Sequence, residues 1–154
     1  MATRTEEHVF GNEVVLSVNK ADADPAVMVV IQCATNLAYS SSSETQDLVC
    51  YGGEKTLPSG RKPKAQLTIS GLCKQYSSAN AATNVGYRDI LSWHNSKARK
   101  LFAYTGIFEG DLVLTGYGYI TAYSDDGGAE GPPKTWSATL TFEAPPAASS
   151  VPSA

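Results

Sequence analysis

The side chains able to do chemistry in this chain are few and scattered. It carries two histidines, His8 and His94, and three cysteines, Cys33, Cys50 and Cys73. A zinc or non-haem iron site draws on His, Cys and carboxylates grouped at ligand spacing, and no two of these five share a short motif. His94 reads as a helix-face residue and the cysteines as reduced, small buried residues. No GxSxG turn raises a serine nucleophile, and Ser40 to Ser43 is read as a solvated strand end. Gly116 and Gly118 have part of the spacing of a dinucleotide loop, but they stand inside a β-pattern with no helix following. Such glycines mark a bulge or a close approach of another backbone. Glu109, Asp111, Asp125, Asp126 and Glu130 offer oxygen ligands without the spacing of a calcium loop. The sequence predicts no catalytic residue, no metal and no cofactor.

What the chain does display is a surface. From Trp136 the residues alternate: Trp136, Ala138, Leu140 and Phe142 point one way, and Ser137, Thr139, Thr141 and Glu143 the other. Leu112 to Tyr123 is dense in β-branched residues, aromatics and glycine. Asp125-Asp126-Gly127-Gly128 and Pro132-Pro133 turn the chain between the two runs. Residues 111–144 therefore read as one long hairpin, with Trp136, Leu140 and Phe142 in the core and a hydroxyl-rich face opposite. What that face meets is the functional question.

The elements that position this hairpin are mostly strands. Val14 to Val18 is a short strand, and Val27 to Cys33, with apolar residues on both faces, is expected to be covered on both sides. Leu37 to Ser43 continues as a strand, and Ala65, Leu67 and Ile69 alternate with Gln66, Thr68 and Ser70 in another. Between them Glu44 to Lys64 is a long excursion with glycines, prolines and both charge signs (Glu44, Asp47, Glu54, Lys55, Arg61, Lys62 and Lys64), which suggests a hairpin. The one helix candidate spans 84–95, capped by Asn84, with Tyr87, Ile90, Leu91 and His94 on its apolar stripe and Trp93 at the edge. Ile90 and Leu91 join the predicted core. Lys97, Arg99 and Lys100 follow where they suit the negative end of a helix dipole, and a strand covers 98–104. Residues 1–13 read as an arm, 14–144 as a single domain, and 145–154, built almost wholly of Ala, Pro and Ser, as a flexible tail. The fold class is mainly β: a sandwich or partial barrel with one flanking helix.

Charge bounds the partners. A net charge of −3 over 154 residues argues against a nucleic-acid-gripping surface. No apolar run is long enough to span a bilayer and the first residues lack a signal-peptide core, so maturation in a cytoplasm and no membrane partner are expected. Residues 101–133 hold five acids and no base, while 55–64 and 97–100 are basic. Such segregation suits contacts between copies of one chain, and head-to-tail contacts between copies close into rings or open into filaments.

In order, VVIQCATNLAYSSSSETQD, KAQLTISGL, YRDILSWHNSKARKLFAYTG and GYGYITAYSDDGGAEGPPKTWSATLTFEA resemble the major tail tube proteins of long-tailed bacteriophages, over roughly residues 14–144. The turn at 126–134 is longer and richer in proline than that family's pattern. The resemblance implies a structural virion protein of the tail, assembled in the host cytoplasm. Six subunits would form a ring whose strands join into one inner β-barrel, and rings would stack into the channel for genome delivery. It implies that the 44–64 loop reaches the neighbouring ring, helped by the arm and the carboxy-terminal segment. It also implies tail-tip, tape-measure and tail-terminator partners, and passing DNA that is not specifically bound. Tubes of contractile tails and of type VI secretion share the fold. A conduit should not bind what passes through it, so Ser137, Thr139, Thr141 and Glu143 are expected to face the channel. The competing reading is a monomeric β-sandwich that binds glycan through exposed Tyr117, Tyr119, Tyr123 and Trp136.

Overall fold

The computed structural model describes residues 9, 11–32, 34–127, 131 and 133–153. Most of the expected arm, with His8, lies outside these residues, as do Cys33, Glu130 and the middle of the 126–134 turn. The strands are β1 (Val14–Asn19), β2 (Met28–Val30), β3 (Ala34–Ser42), β4 (Thr45–Cys50), β5 (Gly53–Pro58), β6 (Lys64–Leu72), β7 (Lys100–Gly106), β8 (Leu112–Asp126), β9 (Thr135–Phe142) and β10 (Ala147–Ser150). One helix, α1 (Tyr87–Ser96), precedes β7. The main sheet is antiparallel in the order β2-β1-β7-β8-β9-β6-β3, with β10 added along β8, and β4 and β5 form a separate hairpin. The sheet curls until Tyr39 of β3 stacks on Tyr104 of β7, ring centroids 6.3 Å apart. That closure encloses a core in which Leu67, Ile69, Ile90, Phe102 and Leu140 are fully buried. The mainly β partial barrel with one helix expected from the sequence is the architecture found.

The long strand β8 organises the sheet. Its first half lies between β7 and β10, and its second half pairs with β9 from Gly118↔Phe142 to Asp126↔Thr135. A bulge at Thr121 separates Ile120↔Leu140 from Ala122↔Thr139. An extra residue shifts the side-chain alternation by one. Before it Leu114 and Ile120 point into the core; after it Tyr123 does, and Ala122 and Ser124 go to the other face.

Helix α1 starts later than the sequence suggests. Gly86, not Asn84, is its N-cap residue, and the Asp89 carboxylate accepts the Gly86 N–H at 3.0 Å. Asn84 instead bonds Gln32 and the Asn80 carbonyl. The buried stripe is centred one position off the expected one. Ile90 and Trp93 are buried, and Leu91, expected in the core, is half-exposed on the outer flank. At 100° per residue a stripe through Tyr87, Ile90, Trp93 and His94 leaves Leu91 at its margin. The His94 Nδ1–H donates to the Ile120 carbonyl at 3.0 Å, tying the helix to β8. Lys97 ends the helix in the left-handed region. Buried Lys100 turns away from the helix terminus to the Lys20 carbonyl and the Asp22 carboxylate.

Two further expectations give way. The described residues of the run 27–33 form the three-residue edge strand β2 and a single bridge from buried Ile31 to Val85, with Val27 61% and Val30 44% exposed. An apolar run does not distinguish a central strand from an edge one. The tail expected to be flexible carries β10, paired with Leu112–Thr115, followed by Val151, which is buried and exchanges backbone hydrogen bonds with the 110–111 turn. Strand pairing uses backbone groups, so Ala and Ser suffice where β9 has left the edge of β8 open.

Candidate functional site: a polar sheet face and a free hairpin

Cross-strand pairing assembles the polar face from four strands. Ser40, Gln66, Thr141 and Tyr119 form one row, Ala38, Thr68, Thr139 and Ala122 the next, and Asn36, Ser70, Ser137 and Ser124 a third. Opposite each row lies the core, where Trp136, Leu140 and Phe142 are buried. Ser137, Thr139 and Thr141 are half-buried by their neighbours, while Ser40, Gln66, Thr68, Thr121 and Ser124 are exposed. Thr121 Oγ1 lies 2.9 Å from Thr141 Oγ1, and the Gln66 amide donates to Thr141 at 3.5 Å. The centre of the face is hydroxyl and amide, without charge. Sequence alternation located the β9 row and the alternating side chains of β6. It did not show that β3, β6, β9 and β8 lie side by side.

Charge sits at the two ends of these strands. At one end Arg99 donates to Glu143 through Nε at 2.8 Å and Nη2 at 2.5 Å, with its guanidinium 3.7 Å from the Tyr117 ring centroid. Arg61 and Lys64 share Glu44 there. At the other end Lys134 pairs with Asp125 at 3.0 Å, and the Tyr123 hydroxyl donates to the same carboxylate at 3.1 Å. The hydrogen bond from Arg99 holds Glu143 below the usual carboxylate range, and that from Lys134 does the same for Asp125. Burial, then the bond to Asp125, pushes the Tyr123 phenol up.

Depressed carboxylates stabilise the fold above their unfolded pKa, and that contribution is lost as pH falls through the folded value. A carbon-13 NMR titration is expected to place the midpoints of Asp125 and Glu143 below their ordinary values of 3.8 and 4.5. Midpoints at those values would show that the pairs do not form in solution.

The expected 44–64 excursion is the β4–β5 hairpin and its base. Apart from half-buried Ser59 at the base, every residue whose side chain is described along it is exposed, with Val49 at 83% and Tyr51 at the tip fully exposed. Asp47 accepts from Thr56 across the hairpin, and Glu54 and Lys55 lie on β5. Glu44, Arg61, Lys62 and Lys64 stand at the base, where the Ser59 N–H donates to the Glu44 carbonyl at 2.9 Å. A two-stranded ribbon alone is marginal in water, and this one carries apolar side chains into solvent.

The aromatic platform needed for glycan does not form. Tyr117 and Tyr119 lie on the polar face and Arg99 covers Tyr117, whereas Tyr123 is half-buried on the core side and Trp136 is buried.

A curled antiparallel sheet with one open hydroxyl face, one outer helix and a projecting hairpin is the tail-tube fold. The SPP1 tail tube chain matches at a TM-score of 0.72 and 11% identity, over 95% of this chain and 81% of that one. A chain of the tail of an empty gene transfer agent particle, with C6 symmetry, matches at 0.67 and 16%, over 94% and 99%. A chain of the sheath–tube complex of PVC, an extracellular contractile injection system, matches at 0.64 and 12%, over 96% and 95%. No protein-family model and no curated protein sequence matches the chain. At these identities the likeness is one of fold, and the fold expected from the sequence resemblance is the fold of this chain.

Proposed function

We propose that this protein is a structural, non-catalytic subunit that assembles with copies of itself into hexameric rings stacked into the tube of a phage-like tail. The tube is the channel for genome delivery, and Ser137, Thr139, Thr141 and Glu143 line it. The observation that carries this reading is the open, uncharged hydroxyl face of β3, β6, β9 and β8 on a tail-tube fold. Such a wall wets a polyanion without gripping it, because each phosphate neutralised by Lys or Arg adds affinity that must be broken again. The β4–β5 hairpin reaches the neighbouring ring, and tail-tip, tape-measure and terminator proteins meet the ends of the tube. The gene transfer agent and injection-system likenesses support a tube in other phage-like particles equally well.

Electron microscopy of the purified protein tests the reading: rings or tubes are expected, and a monomer at all concentrations counts against it. Thr139→Lys is expected to leave tube length unchanged and to slow DNA delivery by the assembled particle, while Thr139→Ser is neutral. Unchanged delivery by the lysine variant would remove Thr139 from the channel wall.

A further inference from the structure

Four bases at the ends of the polar strands are each held by a carboxylate. Arg61 and Lys64 lie 3.0 and 3.6 Å from Glu44, Lys134 lies 3.0 Å from Asp125, and Arg99 is bound by Glu143. Arg99 stands apart in geometry. Two of its nitrogens meet the two oxygens of one carboxylate, and its plane rests on Tyr117. Because its neighbour Lys100 turns into the core, Arg99 stands on the polar side with Tyr117 and Glu143. A planar guanidinium fork takes phosphate in two-point fashion, and here a carboxylate already fills the fork.

We propose that Arg99 is a masked phosphate-binding group, and that Glu143 is the residue that keeps this face from gripping the backbone of double-stranded DNA. The inference rests on the reading of the face as a channel wall. Seen from a few ångströms away the pair is close to neutral, and a phosphate approaching Arg99 must displace Glu143 and meet its charge. Glu143 therefore acts by occupying Arg99 rather than by making the wall acidic. Tyr117 fixes the guanidinium plane, so removing the carboxylate leaves an oriented, empty fork rather than a mobile side chain.

Full-length wild type, Glu143→Gln and the Arg99→Gln/Glu143→Gln double variant would be titrated with a short fluorescein-labelled DNA duplex at low and at high salt. Glu109→Gln, in the β7–β8 turn, serves as the control with the same change in net charge. Glu143→Gln is expected to bind about tenfold more tightly than wild type at low salt, with the gain lost at high salt. Glu109→Gln and the double variant are expected to behave as wild type. The proposal is overturned if Glu143→Gln binds no better than Glu109→Gln, or if the double variant keeps the gain. Electron microscopy of the same proteins reads the tube assignment separately. Tubes without a gain in binding overturn the masking alone. A gain without rings or tubes overturns the channel reading and supports the masked arginine.

Discussion

Replacing Thr45 to Pro58 with a two-residue Asn-Gly turn is expected to leave a folded subunit that no longer forms tubes. The hairpin is a separate two-stranded sheet, and none of its residues whose side chains are described belongs to the main core cluster. Its removal takes little from the core, and the closing geometry is already present, because the Glu44 carbonyl and the Ser59 amide are hydrogen-bonded. The melting temperature should therefore move by only a few degrees, the shift that about 1 kcal/mol causes in a domain of this size. Assembly should fail, because Val49, Tyr51, Leu48 and Leu57 are apolar, exposed and without a core of their own, and exposed apolar groups on a projecting ribbon are stabilised only by a partner surface. The readouts are calorimetry on the deletion protein and electron microscopy at the concentration where the parent forms tubes. Tubes of normal length from the deletion protein would remove the hairpin from inter-ring contact. A milder form, Tyr51→Asp with Val49→Asp, places charge at the same tip and should shorten or abolish tubes without altering the melt.

What could be read from the sequence follows from how local each feature is. The β9 alternation was legible because one face is buried and the other polar, so Trp136, Leu140 and Phe142 fall in the core directly from period-2 geometry. The excursion from Glu44 to Lys64 was legible as a hairpin from its glycines and prolines. The helix was legible, but not its rotation. Leu91 and Trp93 are both apolar, and which of them faces inward depends on where β8 lies. Bulge Thr121 was hidden for the same reason: Leu112 to Tyr123 reads as unbroken β-former, and only the need to bury both Ile120 and Tyr123 demands the extra residue. The pairing of β10 has no apolar signature because backbone groups carry it. The polar face was legible strand by strand but not as a surface, and Arg99 with Glu143, 44 positions apart, could not be joined without the fold.

Gly118→Val is expected to destabilise the subunit by about 3–4 kcal/mol, at the upper end of what overpacking costs. At Gly118 three strands meet, since it pairs with Lys100 on one side and Phe142 on the other. A Cβ there would come within 2.7 Å of the Thr141 carbonyl oxygen, 2.8 Å of Leu140 Cδ1 and 3.3 Å of Phe142 Cα. The nearest of these is backbone held in the β8–β9 ladder, so it cannot swing aside as a side-chain tip can. The requirement is therefore close approach of a neighbouring strand and not an unusual backbone angle, which is one of the two meanings that a glycine inside a β-pattern carries. Gly116 supplies the graded comparison. Its Cβ would meet Phe142 Cδ1 at 3.1 Å and Pro146 at 3.3 Å, contacts that a small shift relieves, so Gly116→Ala should cost about 1 kcal/mol and Gly118→Ala about 2. Urea unfolding of the three variants at constant m-value measures the order. Equal midpoints for Gly116→Ala and Gly118→Ala would show that β9 gives way freely beside β8. In that case the wall formed by β9 would be more compliant than its buried Trp136, Leu140 and Phe142 imply. A loss confined to Gly118 would instead fix the β8–β9 spacing as the rigid dimension of the subunit. Because a domain holds only about 5–15 kcal/mol in reserve, Gly118→Val should also lower the yield of soluble subunit before any effect on assembly is read.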